Sequence, residues 1–422
     1  MKIAMFTDAY WPRINGVTVA VDTFSKALVR LGHEVMIICS QYPEAGTPRK
    51  ISSKMNLSEV NRIKVLRVPS HGLFFSHEDR MAKPYRSIWV QQEVHKFDPD
   101  IIHIHSEFIM FNFGSTYAQL FRKPLVYTFH TLWEDYIPSY SHVMPHLPLF
   151  LPFLAIRIIR KFIFAQADII TAPTAKMVEL LHKKWKVKQD VELLPTGIES
   201  ALFKHSKVEV NVFRDVFDSL FPEVKDKKIL LFSGRIAQEK NINFLLSIAP
   251  DIVQKHPEAV FVFAGNGPDY YYFQSKTENM QDYIIWTDYL DRETISLLYA
   301  ASSIFLFPSL TETQGLVTIE AMMSGLPVVA IAAEGTINVM GPPIAGKDKD
   351  ERPSGFLVDN NQEAFKKRVC QLLEDETLYR EKSEGALAYS QNWDIAPLAQ
   401  RLVQIYQKAE KTMRKIFFKE NP

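Results

Sequence analysis

SLTETQGLVTIEAMMSGLPVVA, residues 309–330, predicts a loop, a short helix and a buried strand in direct succession. Leu316, Ile319, Met322 and Met323 recur at the spacing of one helix face. A Gly-Leu-Pro turn then ends the helix, and Pro-Val-Val-Ala begins the strand. The stretch therefore contains a loop and a helix start, which are the parts able to meet a ligand.

The loop and the helix start combine anion binding with polyol binding. The backbone amides of Gln314, Gly315 and Leu316 have no partner inside the helix and are partly positive, so they favour phosphate. Glu312 and Glu320, with seven residues between them, can accept hydrogen bonds from sugar hydroxyls. Phosphate and sugar together indicate a nucleotide-sugar. A capped surface helix with two solvated glutamates would give the same spacing.

The first residues of the chain favour a parallel sheet. A strand at residues 2–7 is followed by the loop DAYWPRINGVT, a helix at 19–31 and a strand at 33–39. This order predicts an α/β fold whose ligands gather at the carboxyl ends of the strands. Gly16 lies in that loop, where the backbone must approach a ligand closely, although a plain turn glycine is the alternative.

A further strand, turn and helix are predicted at residues 228–246. Arg235 and Lys240 lie five positions apart around this turn. Two cations at a sheet edge suit a pyrophosphate held without a metal, and a solvated basic loop is the alternative. The later Gly265-Asn-Gly267 lacks the third glycine of a dinucleotide-binding fingerprint, so it predicts a tight turn.

The Glu-x7-Glu pair, the Ala-Met after it and the Gly-x-Pro-Val-Val strand resemble the donor-site signature of retaining glycosyltransferases of family 4. The resemblance implies the GT-B fold, in which two Rossmann-like parallel-sheet domains face a cleft and the last helix crosses back to the first domain. It implies an acceptor-side domain at residues 1–194, a nucleotide-sugar domain at 195–392 and the returning helix at 393–422. The residues TETQG are most similar to the branch that glucosylates diacylglycerol at membranes.

The resemblance also implies roles for the basic and glycine residues. Arg235 and Lys240 are expected to stabilise the charge of the leaving diphosphate, which is electrostatic help aimed at the transition state. Gly16 is expected beside the same diphosphate. Many family members have two adjacent glycines there, whereas this chain has Asn15-Gly16.

The other residues implied by the resemblance bind the sugar and the base. Glu312 is expected to hold the sugar hydroxyls, Glu320 the ribose hydroxyls, and His130 to orient the sugar from the first domain. Backbone contacts near Tyr289 are expected to read the base. No side chain is assigned as nucleophile, because the family's retention is usually ascribed to front-face attack, with a donor phosphate oxygen taking the acceptor's proton.

A metal site is the less favoured interpretation of two histidines. His103 and His105 share one face of a predicted strand, but the sequence shows no third ligand at metal spacing, and the family uses similar histidines without metal. Cys39 and Cys370 are the only cysteines, which excludes a disulfide framework and fits a reducing cytosol. We predict no metal and no cofactor, with the nucleotide-sugar as substrate.

The charge of the chain is unevenly distributed. Residues 1–190 carry a net charge of +8, residues 191–400 carry −11, and residues 401–422 carry +4. This asymmetry predicts an anionic surface as partner for the basic parts. Nucleic acid would fit the same asymmetry, but no RRM, KH or zinc-finger pattern is present, so we predict no nucleic-acid partner.

Residues 136–164 contain the strongest membrane signal. Residues 136–156 carry no charge, yet their prolines and histidines argue against a membrane-spanning helix, and the N-terminus lacks a signal-peptide core. Within 144–164 an apolar stripe of Phe153, Ile156, Ile159 and Ile163 is interleaved with Arg157, Arg160 and Lys161. An interfacial helix on an anionic leaflet and a core helix with extended cations explain this pattern equally well.

Together these features predict an enzyme at the cytoplasmic face of a membrane. We expect it to move a hexose, first of all glucose, from a UDP-sugar to a lipid such as diacylglycerol, with retention. A soluble sugar, phosphatidylinositol or a protein are the alternative acceptors, and a nucleotide-sugar epimerase or an inactive binding protein are the alternative classes. Glu134 and Asp135 suit either a general base or a solvated loop.

Overall fold

The computed structural model describes residues 1–13, 15–43, 56–60, 62–73, 76–83, 87–130, 161–312 and 314–420. The chain divides into two compact units. Met1–Gly197 and Ile395–Pro422 form the first unit, and Ile198–Asp394 form the second.

The first unit alternates strands and helices. In chain order its elements are β1 (Lys2–Thr7), α1 (Gly16–Arg30), β2 (Glu34–Ser40), β3 (Asn56–Val60), β4 (Ile63–Val68), β5 (Ser70–Leu73), β6 (Ser76–Ala82), α2 (Ser87–Phe97), β7 (Ile101–Ile104), α3 (Ile109–Phe121), β8 (Leu125–Thr128), β9 (Ile169–Ala172), α4 (Ala175–Lys183) and β10 (Asp190–Leu193). Over these described elements the sheet runs β10-β9-β8-β7-β1-β2-β4-β3, and β5 pairs with β6 separately.

The sheet of the first unit is parallel apart from the antiparallel pair of β3 and β4. From β1 the chain proceeds through β2 toward one edge and later returns to β7, on the other side of β1. The strand order therefore reverses between β1 and β7. Ligands of open parallel sheets bind at such a reversal, outside the carboxyl ends of the strands.

The second unit repeats the alternation. Its elements are α5 (Lys207–Leu220), β11 (Lys228–Ser233), α6 (Ile242–Lys255), β12 (Ala259–Ala264), α7 (Tyr270–Lys276), β13 (Ile284–Asp288), α8 (Arg292–Ala301), β14 (Ile304–Phe307), α9 (Leu316–Met323), β15 (Val328–Ile331), α10 (Glu334–Met340), β16 (Glu351–Arg352), β17 (Gly355–Val358), α11 (Gln362–Glu374) and α12 (Glu376–Ser390). The sheet order is β13-β12-β11-β14-β15-β17-β16, with β16 antiparallel to β17. Here the reversal lies between β11 and β14.

The last helix, α13 (Ile395–Glu420), belongs to the first unit. Leu398, Leu402, Ile405, Tyr406 and Ala409 recur on one of its faces and are buried. They join the core that α1 forms on one side of the sheet. Burial of this apolar stripe keeps the helix on the first unit, at about 25 cal/mol for each Å² of apolar surface removed from water.

The predicted fold class is confirmed: two parallel-sheet α/β units, with the last helix returned to the first of them. Most predicted elements lie within a few residues of the observed ones. The first helix begins at Gly16 rather than at residue 19, because the Asn15 side chain accepts a hydrogen bond from the Thr18 amide and caps it. The last helix runs from Ile395 to Glu420, inside the predicted range 393–422.

Candidate active site

Two loops meet at the strand reversal of the second unit. One follows β11 and the other follows β14, which is its neighbour in the sheet. Asn241 Nδ2 donates to the Pro308 carbonyl at 3.2 Å, and Thr311 Oγ1 donates to the Glu239 carbonyl at 3.4 Å. These bonds fix the basic turn of one loop against the SLTETQG segment of the other.

Lys240 and Glu312 form a close ion pair at this point. Both side chains are 17% exposed, so solvent screens the pair less than it would screen a surface salt bridge. Ser309 Oγ also donates to Glu312 Oε1, at 3.5 Å. At this point the lysine can bind a phosphate, and the carboxylate can accept a hydrogen bond from a hydroxyl. The structure therefore brings together two residues that the sequence separates by 72 positions.

The start of α9 lies in the same loop. Gly315 is its N-cap with φ +71°, a left-handed conformation that favours glycine, and no side chain caps the helix. Gln314 is buried, and Leu316 is the first helical residue. The three predicted amides are thus at the helix start, as expected, while Thr313 lies outside the described residues.

Glu320 lies on α9 and contacts two residues that the sequence analysis did not single out. Its Oε2 accepts a hydrogen bond from Tyr299 OH at 3.3 Å, and its Oε1 lies 3.9 Å from Arg292 Nη2. Burial raises the pKa of Glu320, while Arg292 and Tyr299 lower it. Arg292 and Tyr299 are seven residues apart on α8, so they share a helix face. Their spacing was visible in the sequence, but nothing there indicated that α8 packs against α9.

Arg235 lies just after β11, in the same loop as Lys240. Its side chain is 49% exposed, and its Nη1 lies 3.8 Å from Glu239 Oε1. Both predicted cations face a carboxylate, but Lys240 is 17% exposed and Arg235 is 49% exposed. Both lie in the loop that follows β11, at the strand reversal of the second unit.

The Gly265-Asn-Gly267 turn has a packing role. A Cβ on Gly265 would lie 2.0 Å from the Gly234 carbonyl oxygen, and the residue has φ +134°. Glycine is required here because the backbone after β11 passes directly against it. This close approach explains the glycine without a dinucleotide fingerprint.

Tyr289 follows β13, and its side chain is exposed. Its amide donates to Asp288 Oδ1 at 2.5 Å, and Asp288 has a left-handed φ of +61°. The Asp288 carbonyl accepts from the Gly265 amide at 2.9 Å. The loop after β13 is therefore tied to the loop after β12, and the predicted contact of Tyr289 with a base stays a prediction.

Gly16 lies at the reversal point of the first unit, as the first residue of α1. It is exposed, and a Cβ there would meet no atom within 4 Å. No neighbouring side chain or backbone of the described residues demands glycine at this position. Its expected contact with a diphosphate is untested.

His103 has a structural role. Its Nδ1 forms a hydrogen bond with Tyr406 OH at 2.8 Å, and its Nε2 forms one with Thr128 Oγ1 at 2.7 Å. Burial lowers the pKa of His103 to about 3, so the ring is neutral at pH 7. Because both ring nitrogens are engaged, His103 joins β7 and β8 to α13.

His105 and His130 form a second histidine contact. His105 Nδ1 lies 3.0 Å from His130 Nε2, with the ring centroids 5.3 Å apart and the ring planes inclined by 26°. Burial lowers the pKa of His130 to about 4 and that of His105 well below its usual value. The predicted sugar-orienting residue is therefore a neutral imidazole held by another neutral imidazole.

Asp8 is a buried carboxyl that the sequence analysis did not identify. It follows β1, its amide donates to Ser106 Oγ at 3.0 Å, and its Oδ1 accepts from the Met110 amide at 3.4 Å. Burial raises the pKa of Asp8 to about 6. The contact with Met110 stabilises the first turn of α3, whose N-cap residue, Phe108, makes no side-chain capping bond.

Part of the predicted membrane segment is described. Glu134, Asp135 and residues 144–160 lie outside the described residues, but Lys161 and Ile163 lie inside them. Lys161 is exposed, whereas Ile163 is buried in the core beside α2 and α3. For Ile163 the core-helix alternative holds, because neighbouring side chains of the first unit cover it.

The described residues contain neither a metal-binding cluster nor a membrane-spanning helix. No group of three or more His, Cys, Asp or Glu side chains in the described part of the chain is arranged to hold a metal ion. None of the described helices combines the length and the apolar character needed to cross a bilayer.

Two family models match successive parts of the chain. The Glycosyltransferase Family 4 model matches residues 14–202, and the Glycosyl transferases group 1 model matches residues 215–388. The molecule is therefore a glycosyltransferase. It belongs to glycosyltransferase family 4, as the donor-site signature predicted.

The chain is similar to enzymes of glycolipid synthesis. It is 29% identical over 333 residues to alpha-monoglucosyldiacylglycerol synthase of Streptococcus pneumoniae, covering 78% of this chain and 71% of that one. It is 29% identical over 340 residues to the same-named protein of Acholeplasma laidlawii, covering 78% and 80%. It is 31% identical over 270 residues to sulfoquinovosyl transferase SQD2 of Arabidopsis thaliana, covering 63% and 48%.

Solved structures support the GT-B fold. Sucrose-phosphate synthase from Thermosynechococcus elongatus superposes with a TM-score of 0.71 at 18% identity, covering 96% of this chain and 98% of that one. HepE of Anabaena, in complex with UDP and glucose, has a TM-score of 0.67 at 16% identity, covering 97% and 100%. At these identities the likeness shows the fold alone.

Proposed function

We propose that this glycosyltransferase moves a hexose, with glucose as the first candidate, from a UDP-sugar to a membrane lipid such as diacylglycerol, with retention. The observation that carries the proposal is the Lys240–Glu312 pair beside the uncapped start of α9. It combines a cation, partly positive amides and a carboxylate at the strand reversal of one unit. This combination suits a diphosphate joined to a polyol.

The proposed donor contacts follow from charge. Lys240 and Arg235 stabilise the diphosphate as its negative charge grows in the transition state. The amides of Gln314, Gly315 and Leu316 add partial positive charge from the helix start. When a phosphate attracts Lys240, Glu312 is free to accept hydrogen bonds from the sugar.

The proposed contacts with the ribose, the transferred sugar and the base involve a carboxylate, an imidazole and backbone groups. Glu320, oriented by Tyr299, binds the ribose hydroxyls. His130 orients the transferred sugar, Gly16 lies beside the diphosphate, and the backbone at Tyr289 binds the base, as the family resemblance implies. We assign no side-chain nucleophile. A donor phosphate oxygen takes the acceptor's proton in the front-face route.

The lipid acceptor is supported by relatives named as monoglucosyldiacylglycerol synthases. The test is UDP release from UDP-glucose, UDP-galactose and UDP-N-acetylglucosamine with diacylglycerol, phosphatidylinositol or free sugars, followed by product analysis. We expect diacylglycerol with UDP-glucose to give the highest rate. Faster turnover with a soluble sugar would exclude the lipid assignment. An epimerised donor without acceptor would indicate an epimerase, and binding without turnover would indicate an inactive binding protein.

We also propose that no metal or cofactor takes part. Lys240 and Arg235 supply positive charge where a metal would otherwise hold the diphosphate. Turnover should therefore survive excess EDTA. Loss of activity with EDTA that manganese or magnesium restores would contradict this proposal.

Peripheral attachment to an anionic membrane at the cytoplasmic face is the last part of the proposal. Its support is the net charge of +8 over residues 1–190 and the cations Arg157, Arg160 and Lys161. Each cation near an anionic leaflet contributes about 1 kcal/mol, an attraction that salt screens over about 8 Å. Charge reversal at these three positions should reduce liposome binding without changing hydrolysis of the soluble donor. A wild-type protein that ignores anionic liposomes at low salt would contradict the attachment.

A further inference from the structure

The contact between His105 and His130 leaves one ring nitrogen without a partner. His105 is 3% exposed, and its Nδ1 lies 3.0 Å from His130 Nε2. Its Nε2 is buried and has no hydrogen-bond partner among the described residues. His103 cannot form a hydrogen bond with His105 Nε2, because Tyr406 and Thr128 already engage both ring nitrogens of His103.

The unpartnered nitrogen decides which imidazole donates. A neutral imidazole has one N–H donor and one acceptor nitrogen. If His105 donates from Nδ1, its buried Nε2 is an acceptor without a donor. If His130 donates from Nε2 instead, His105 must carry its proton on the buried Nε2, which then has no acceptor.

These two arrangements differ in cost. A buried N–H without an acceptor loses its hydrogen bond to water, at about 1–3 kcal/mol. An under-satisfied acceptor is the commoner and cheaper defect in folded proteins. The arrangement in which His105 donates is therefore the favoured one. Burial keeps both rings neutral at pH 7, so each ring carries a single proton and must adopt one of two tautomers.

We propose that His105 is a positioning residue that holds His130 in the tautomer protonated on Nδ1, so that His130 acts as a hydrogen-bond donor to an oxygen of its ligand. Under the proposed function, on which the identity of the ligand rests, this oxygen is a hydroxyl of the transferred hexose. In this state Nδ1 of His130 cannot accept a proton. His130 is thereby excluded as a general base at that nitrogen and orients the sugar.

The tautomer can be measured without substrate. The protein is labelled with ¹⁵N-histidine, and long-range ¹H–¹⁵N correlation spectra are recorded at pH 7.5, with assignments from single histidine substitutions. We expect His130 and His105 each to be protonated on Nδ1 and unprotonated on Nε2. A proton on Nε2 of His130, or two protonated nitrogens on either ring, would overturn the proposal. Because no sugar is present, failure of the proposed function would leave this result standing.

Two variants separate positioning from packing. His105→Leu removes the Nδ1–H donor and introduces an apolar side chain of similar size. His105→Asn places an amide N–H near the position of Nδ1. We expect Leu to change the His130 tautomer and lower kcat by about 10- to 100-fold, and Asn to restore the wild-type tautomer and part of the rate. Thermal unfolding checks that both variants fold. A Leu variant that folds and keeps the wild-type tautomer would show packing alone and overturn the proposal.

Discussion

The loops at the carboxyl ends of the parallel strands bring neutral groups together in the first unit and charged groups together in the second. In the first unit the loops after β7 and β8 carry His105 and His130, two neutral imidazoles in contact. In the second unit the loops after β11 and β14 carry Lys240 and Glu312, two charges in contact. Burial disfavours a charge unless another charge or a hydrogen bond offsets it. The comparison shows how one architecture supports neutral hydrogen bonding in one unit and charge stabilisation in the other.

The largest expected difference is in the response to acid. Burial lowers the pKa of His103 to about 3, that of His130 to about 4 and that of His105 well below 6.5, so these rings bind protons more readily in the unfolded chain. As the pH falls below 6.5, the unfolded state binds protons that the folded state does not, so the folded state loses about 2 kcal/mol of stability by pH 5 for His103 and the same for His130. Asp8, with its pKa raised to about 6, has the opposite sign and returns about 1 kcal/mol. These three groups together give a net loss of about 3 kcal/mol from pH 7 to pH 5, and His105 acts in the same direction as the other two rings.

Hydrogen exchange at pH 7 and pH 5 measures this difference. Amides of β7 and β8 should lose protection on acidification more strongly than amides of β11 and β14. Glu320 in the second unit has a raised pKa, so its contribution to stability falls as the pH rises and does not add to acid lability. Equal loss of protection in both units would contradict the assignment of acid sensitivity to the histidines.

The next effect concerns the charges of the second unit. Lys240→Ala or Arg235→Ala should each lower turnover of the donor about 100-fold or more, because each removes a charge contact made in the transition state. Steady-state kinetics measure the effect. Lys255→Ala is the matched control, since this exposed lysine pairs with Glu374 elsewhere in the same unit. Near-normal turnover in both cation variants would place the donor site elsewhere.

A double variant distinguishes catalysis from charge neutralisation at Lys240. Lys240→Met alone leaves the Glu312 carboxylate without its ion-pair partner and should lower the melting temperature. In Lys240→Met/Glu312→Gln the unpaired charge is gone, so stability should recover, while turnover should stay below that of Glu312→Gln alone, which measures the loss of the sugar contact. Turnover of the double variant equal to that of Glu312→Gln would show that Lys240 acts only by neutralising Glu312.

A smaller effect is expected at Glu320. Glu320→Ala should weaken UDP binding by about tenfold, because a carboxylate that accepts two hydroxyl hydrogen bonds is lost. The raised pKa of Glu320 also predicts that UDP affinity falls on acidification at a higher pH than an ordinary glutamate would give. Glu320→Gln should remove this dependence. Calorimetric titration over pH 5–8 tests both points, and identical profiles for wild type and Glu320→Gln would refute the role.

The smallest effect compares two glycines. Gly16→Ala places its Cβ in open space, so the free energy of unfolding measured in urea should change by less than about 0.5 kcal/mol. The KM for the donor should rise a few-fold if a diphosphate lies beside this glycine. Gly265→Ala is the structural comparison, since its Cβ would collide with the Gly234 carbonyl, and it should destabilise the second unit. Unchanged KM in the Gly16 variant would remove the ligand role of this glycine.

The sequence by itself determined the α/β class and the loops that hold the site. Alternating strands and helices predict parallel sheets, and parallel strands bring the loops at their carboxyl ends to one edge. Lys240 and Glu312 follow β11 and β14, so their convergence was implied once those strands were recognised. The uncapped helix start at Gly315 was likewise visible, because glycine before a helical pattern is a local signal.

The tertiary structure alone decided how these residues are paired. Glu320 contacts Arg292 and Tyr299 only because α8 packs against α9, and His103 is engaged by Tyr406 because α13 returns across 303 residues. Ile163 is covered by the core of the first unit, although its spacing suits a lipid-facing stripe equally well. The periodicity of apolar residues shows which face of a helix or strand is apolar. Which neighbouring element covers that face is decided by the packing of the whole unit. For that reason the sequence could predict the members of the site, and only the packed chain could determine their partners and protonation.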